Sequence, residues 1–163
     1  RSWNSEISDR LKIASVSYLN AAFNRKLGHA GHWFYIPEEK YMPYRMGSFS
    51  NIYSKLAPDG TGSAYIEYTH QGDFSEIELL KKKSIELLLD MKIINNINDI
   101  LFMDYRKIEN GYVIYHKEYF EDLKKVENWC AENSIQLVGR YGKWTYAAME
   151  NALIEGMEAA QRI

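Results

Sequence analysis

The feature that most constrains this chain is a change of hydrophobic period between residues 63 and 94. From Ser63 to Thr69, Tyr65, Glu67 and Thr69 alternate with Ala64, Ile66 and Tyr68, the period-two pattern of a half-buried strand. From about Phe74 to Ile94 the period lengthens, and Ile77, Leu80, Ser84, Leu88 and Met91 recur every three or four residues, which predicts a long amphipathic helix. A strand with one apolar face followed by a helix with one apolar stripe buries both surfaces most directly by laying the helix on the sheet.

The flanking segments extend this pattern. Leu11 to Ala22 reads as a strand, with Leu11, Ile13 and Ser15 alternating against Lys12, Ala14 and Val16. His32 to Ile36 is a short aromatic strand stopped by Pro37, and a loop to Pro43 leads to a third strand, Tyr44 to Ser50. Pro58-Asp59-Gly60 is a turn, and Asn95-Asn96 ends the long helix. Ile100 to Ile108 and Tyr112 to His116 read as a hairpin through Asn110-Gly111, residues that tolerate the positive φ of a type I′ turn. A helix bearing Leu123, Val126, Trp129 and Cys130 follows, then a short buried strand, Ile135 to Val138, and a final helix from Ala147 to Arg162. The expected class is α+β, a mixed and largely antiparallel sheet covered by helices.

Length and charge narrow the function. A chain of 163 residues is long enough for one sizeable core. The net charge is −2 and its signs are interleaved, so no basic stripe exists for nucleic acid; Lys81 to Lys83 reads as a solvated helix face. No apolar run reaches membrane-spanning length, since Glu86, Asp90 and Lys92 interrupt Ile85 to Ile94. The single cysteine, Cys130, allows neither an internal disulfide nor a Cys-rich zinc site, and a reducing, cytoplasmic setting is expected. The opening Arg1-Ser2-Trp3, without Met, leads us to expect a piece of a longer chain.

No nucleophile elbow, Walker A loop, HExxH or Gly-rich dinucleotide fingerprint is present, and no catalytic residue can be named. His29 and His32 sit among glycines without further ligands, which favours a turn into a strand over a metal site; no metal is expected, and His70 and His116 stand alone. Two segments carry more. In Gly139-Arg140-Tyr141-Gly142-Lys143-Trp144-Thr145-Tyr146 a strand runs through a Gly-flanked Arg into a helix. Such a turn can bring backbone amides and an Arg to an anion, or can be a tight strand–helix crossover with an exposed Arg. Along the helix, Ala152, Gly156, Ala159 and Ala160 keep one face small enough to approach a sheet or cofactor. In the second segment, Met42 to Asn51, Arg45 lies in a strand among Tyr44, Met46 and Phe49, either at an exposed edge or reaching into a polar pocket.

Together the two segments resemble the UDP-galactopyranose mutases and their relatives among protoporphyrinogen oxidase-like and amine oxidase-like flavoproteins. The resemblance rests on Phe34-Tyr35-Ile36-Pro37-Glu38, Pro43-Tyr44-Arg45, Phe49-Ser50-Asn51, Gly139 to Tyr146, and Gly156-Met157-Glu158-Ala159, and it covers roughly residues 11 to 163. It implies that residues 1–136 belong to a substrate-binding domain of the FAD-linked oxidoreductase type, and that residues 137–163 close the FAD site of a longer parent. It further implies that Gly139, Arg140, Trp144, Tyr146 and Met149 lie by FAD, with Arg140 near the pyrophosphate. Tyr44, Arg45 and Asn51 would face a small-molecule substrate, a nucleotide sugar in the mutases. The implied chemistry is attack by reduced flavin on a sugar's anomeric carbon, or hydride transfer to the flavin in the oxidases. Arg140 stands where the wider amine oxidase pattern has an acid, which tilts the resemblance toward the mutases. The family's Gly-x-Gly-x-x-Gly segment does not occur in these residues. The expected partner is therefore an N-terminal FAD-binding segment of the same protein, and the 163-residue chain alone should neither hold FAD tightly nor turn over. The competing expectation is a free-standing α+β binding module that has lost the cofactor.

Overall fold

The computed structural model describes residues 5–28, 31–72 and 76–162. Their order is α1 (Ser5–Arg10), β1 (Ile13–Phe23), β2 (Trp33–Tyr35), β3 (Arg45–Ser48), α2 (Phe49–Ile52), β4 (Gly62–His70), α3 (Ile77–Asp90), β5 (Ile100–Val113), α4 (Tyr119–Glu132), α5 (Gly139–Gly142) and α6 (Met149–Ala160). The strands form one five-stranded sheet in the order β2-β3-β4-β1-β5. The β2–β3, β3–β4 and β1–β4 pairings are antiparallel. The fold is α+β, as the change of period predicts. No described helix is long and apolar enough to cross a membrane.

The chain divides into two compact units, one of residues 15–109 and one of residues 1–14 with 110–163. The boundary expected at 136/137 falls inside the second of these.

In the unit of residues 15–109, alternation decides which face is covered. Leu19, Ala21 and Phe23 of β1, Ala64, Ile66 and Tyr68 of β4 and Met46 of β3 form one core with Leu80, Leu87 and Leu88 of α3. The registers Leu19↔Ile66 and Met46↔Ile66 set these side chains on one face of the sheet. Tyr68 reaches across the layer to the Leu80 carbonyl at 2.8 Å and the Ser84 hydroxyl at 2.6 Å. The part of the expected helix at Phe74 lies outside the described residues, as does His29. α3 stops before Ile94 because Lys92 turns left-handed, with φ 55°. The Ile93 N–H then bonds back to the Leu88 carbonyl at 2.9 Å, and Ile93 and Ile94 are driven into the core. His70 is satisfied, its Nε2 lying 2.8 Å from Ser17 Oγ and its Nδ1 2.8 Å from the Gly72 carbonyl.

In the unit of residues 1–14 and 110–163, Arg10 of α1 makes a paired contact with Asp122 of α4 at 2.7 and 2.6 Å. His116 Nε2 is 3.0 Å from the same carboxylate, which is buried. The Arg10 guanidinium holds the Asp122 carboxyl well below the usual carboxylate range against the opposing effect of burial.

Two expected elements do not form. Asn110-Gly111 makes no hairpin: β5 runs unbroken from Ile100 to Val113, and neither residue has the positive φ that a type I′ turn requires. Their carbonyls accept instead from Tyr141 and from Arg140 Nη1. Ile135 to Val138 is not a buried strand. Val138 is extended but belongs to no sheet, and Ile135 is 46% exposed. A four-residue segment with three apolar residues carries too little periodicity to distinguish a strand from extended coil.

Candidate functional site

On the face of the sheet opposite α3, the registers Tyr35↔Arg45↔Glu67↔Tyr18 and Trp33↔Gly47↔Tyr65↔Asn20 line up an aromatic and polar surface. Arg45 opens β3, and Glu67 stands directly across on β4. Glu67 Oε2 accepts from Arg45 Nη2 at 2.6 Å, from Arg45 Nε at 3.0 Å and from the Tyr44 hydroxyl at 2.6 Å. The guanidinium also lies 5.4 Å from the Tyr44 ring and 5.8 Å from the Tyr35 ring, and those two rings stack at 29°. The strand Arg among aromatics thus reaches a polar cluster and is mostly buried rather than projecting into solvent. Gly47 explains the close approach beside it: a Cβ there would stand 2.2 Å from the Tyr65 ring.

Asn51 sits at the other end of β3, in α2. Its backbone N–H is capped by Ser48 Oγ at 3.2 Å, and its side-chain amide donates to the Gly31 carbonyl at 3.1 Å. It lines a polar cleft of about 360 Å³ with Lys26, Ser54, Asp59 and Thr61.

In the other unit, the Gly139–Tyr146 turn is built around Arg140. Nε and Nη2 donate to the Ala147 carbonyl at 3.2 and 2.7 Å, and Nη1 donates to the Gly111 carbonyl at 3.2 Å. These bonds use three of the five guanidinium N–H donors. The cation lies 4.9 Å from the Tyr146 ring and 5.6 Å from the Tyr112 ring, which stack on each other at 19°. Gly139 has φ +75°, a conformation other residues rarely adopt, and its N–H donates to Glu155 of α6 at 2.7 Å. That bond, with Lys143 at 3.2 Å from the same carboxylate, draws the Glu155 carboxyl below its ordinary range.

Trp144 also adopts a left-handed backbone, with φ 47°, and its carbonyl accepts from the Tyr119 hydroxyl. Its indole Nε1 is buried and has no hydrogen-bond partner among the described residues. The Tyr146 N–H donates to the Tyr115 hydroxyl at 2.8 Å. Contacts to the Thr145 hydroxyl and to this N–H make the Tyr115 phenol more acidic than usual. Tyr146 is 65% exposed and Met149, the first residue of α6, is 86% exposed. On the small face of α6, a Cβ on Gly156 would have no neighbour within 4 Å among the described residues, and no residue of the helix is buried.

The structure therefore gathers Tyr44 with Arg45 in one cluster, and Gly139, Arg140, Trp144 and Tyr146 in one turn. Sequence reading missed Glu67, Tyr35 and Tyr65 in the first, and Tyr112, Tyr115 and Glu155 in the second. Glu67 and Tyr65 carried a signal, since alternation puts them on the face opposite the core. The partners of Arg140 lie 7 and 29 residues away and carried none.

No protein-family model matches the sequence, and no curated protein matches it. Solved structures do. A crystal structure of reduced UDP-galactopyranose mutase matches 94% of the chain at 21% identity with a TM-score of 0.86, over 34% of its own length. A protoporphyrinogen oxidase-type protein from Exiguobacterium sp. 255-15 matches 81% of the chain at 17% identity with a TM-score of 0.62, over 31% of its own length. The chain spans about a third of the length of each. It has the fold of that third of the mutase.

Proposed function

We propose that the chain is the substrate-binding and flavin-closing part of an FAD-dependent enzyme with mutase-like or oxidase-like chemistry. The observation that carries the reading is the 139–149 turn. It spends a left-handed Trp144 and an internally clamped Arg140 in a turn that leaves Tyr146 and Met149 exposed, and it buries an indole N–H that lacks an acceptor among the described residues. A buried donor left unpaired costs about 1–3 kcal/mol, and an acceptor supplied by a bound group removes that cost. The residues fit FAD in this sense. Arg140 retains two N–H donors for a phosphate, and Tyr146 and Met149 offer apolar surface to a ring. Bound FAD would supply the redox-active or nucleophilic centre.

The chain's own contribution is binding and orientation. The open sheet face with Tyr35, Arg45 and Tyr65 takes a small-molecule substrate, a nucleotide sugar in the mutase-like case. The Arg45–Glu67 pair carries no net charge, so a diphosphate gains from it mainly hydrogen bonds and stacking. An N-terminal segment of the same protein would provide the rest of the flavin site and cover the exposed apolar stripe of Met149, Leu153 and Met157. A second reading, a binding module without cofactor, draws on Arg140 being clamped by its own backbone.

Flavin retention separates the two. In the protein that joins this chain to a Gly-x-Gly-x-x-Gly segment, Arg140→Ala should shed FAD on gel filtration, read by absorbance of the retained flavin. Unchanged retention would place Arg140 in a purely structural role. The 163-residue chain alone should elute without stoichiometric flavin, and a yellow one-to-one complex would overturn the half-site reading.

A further inference from the structure

We propose that Glu67 sets how the open sheet face responds to ligand charge. It neutralises Arg45 in advance, so an anionic substrate is held by hydrogen bonds and stacking more than by net charge. Removing the Glu67 charge alone should then tighten anion binding. This role rests on the substrate-binding function proposed above for the same face. A site discriminates among ligands by what it repels as well as by what it attracts.

Both charges sit in one place. Along the rows Tyr35↔Arg45↔Glu67↔Tyr18 and Trp33↔Gly47↔Tyr65↔Asn20, Arg45 and Glu67 are the only charged residues. Arg45 Nη2, Arg45 Nε and the Tyr44 hydroxyl all donate to the same oxygen of Glu67, at 2.6, 3.0 and 2.6 Å. The Tyr44 N–H also donates to the Glu67 carbonyl at 3.0 Å, so backbone and side chain of residue 67 both hold the entry to β3. The side chains of the pair are 20% and 12% exposed, and water and salt therefore screen them less than a surface pair.

A dianion placed against Arg45 gains from the cation and loses to the carboxylate beside it. The two effects largely cancel, because Coulomb energy varies only as the inverse of distance. Glu67→Gln keeps the side-chain size and an oxygen for Tyr44 and Arg45, but it leaves the two rows with a net positive charge. The variant should itself be less stable, since a mostly buried cation loses the carboxylate it meets directly. An anion that replaces this carboxylate stabilises the fold by binding. The change that weakens the chain thus strengthens its hold on an anionic ligand.

Isothermal titration of the 163-residue chain with UDP and with uridine, at low and at physiological salt, tests this role. Glu67→Gln should bind UDP at least about tenfold more tightly than the unmodified chain and uridine no differently, and added salt should erode the gain. Glu67→Asp, which keeps the charge, should stay within about threefold of the unmodified chain. In the Arg45→Ala background the gain from Glu67→Gln should vanish. The unmodified chain supplies a measurement that needs no variant to fold: its UDP affinity should change by less than about threefold with salt. UDP binding that Glu67→Gln leaves unchanged or weakens, a gain shared by uridine or Glu67→Asp, or a gain that persists without Arg45 would overturn the proposal. A steep salt dependence in the unmodified chain would do the same. Chains that bind no UDP at all would overturn the substrate-face reading, and the proposal with it.

Discussion

The Arg45 guanidinium is held by Glu67, and the support that Tyr68 gives the core is set by Ser84. Both pairs cross the sheet or its helix layer, and both depend on register. Arg45 was legible as an unusual residue because it interrupts an aromatic strand. Its partner, 22 residues away, became identifiable only once β3 and β4 were aligned. Tyr68 looked like one more apolar position of an alternating strand. Its hydroxyl in fact reaches Ser84 and the Leu80 carbonyl at full burial, and burial pushes the phenol above its ordinary range. Tyr68→Phe leaves the buried Ser84 hydroxyl without that partner, so it should destabilise the chain by about 1–2 kcal/mol. Urea unfolding monitored by circular dichroism tests this, and an unchanged midpoint would show that Ser84 finds another acceptor within its helix.

At the scale of elements, periodicity was a reliable guide where one face is buried and a poor one where distant side chains decide. β4 and α3 fold as their patterns dictate, because the sheet face and the α3 stripe cover each other. Asn110-Gly111 has the composition of a turn, yet β5 continues through it while Tyr141 and Arg140 occupy its carbonyls. That competition was invisible locally. The same limit applies to α1 and α4, which are tied together through Arg10 and Asp122. The folded Asp122 carboxyl ionises below its unfolded value, so its stabilising effect is complete above the ordinary carboxylate range of about 4 and fades as pH falls through the depressed folded value. Glu155 acts in the same direction. Asp122→Asn should therefore flatten the acid side of the melting temperature plotted against pH, with little change in its slope near neutrality. An acid limb as steep as that of the parent chain would remove Asp122 from the account.

For the whole molecule, the α+β class followed from the order of elements, and the resemblance singled out the two segments that the structure shows to be clustered and clamped. The fold match to a third of a mutase leaves the activity to be tested on the chain's own surface. Amide chemical shifts recorded during titration with UDP test the central claim most directly. The account predicts saturable changes concentrated at Tyr35, Arg45, Tyr65 and Glu67, weakened about 30- to 150-fold in Arg45→Ala through loss of a charge-assisted contact of about 2–3 kcal/mol. Absent or scattered changes, or an affinity that Arg45→Ala leaves unaltered, would contradict it.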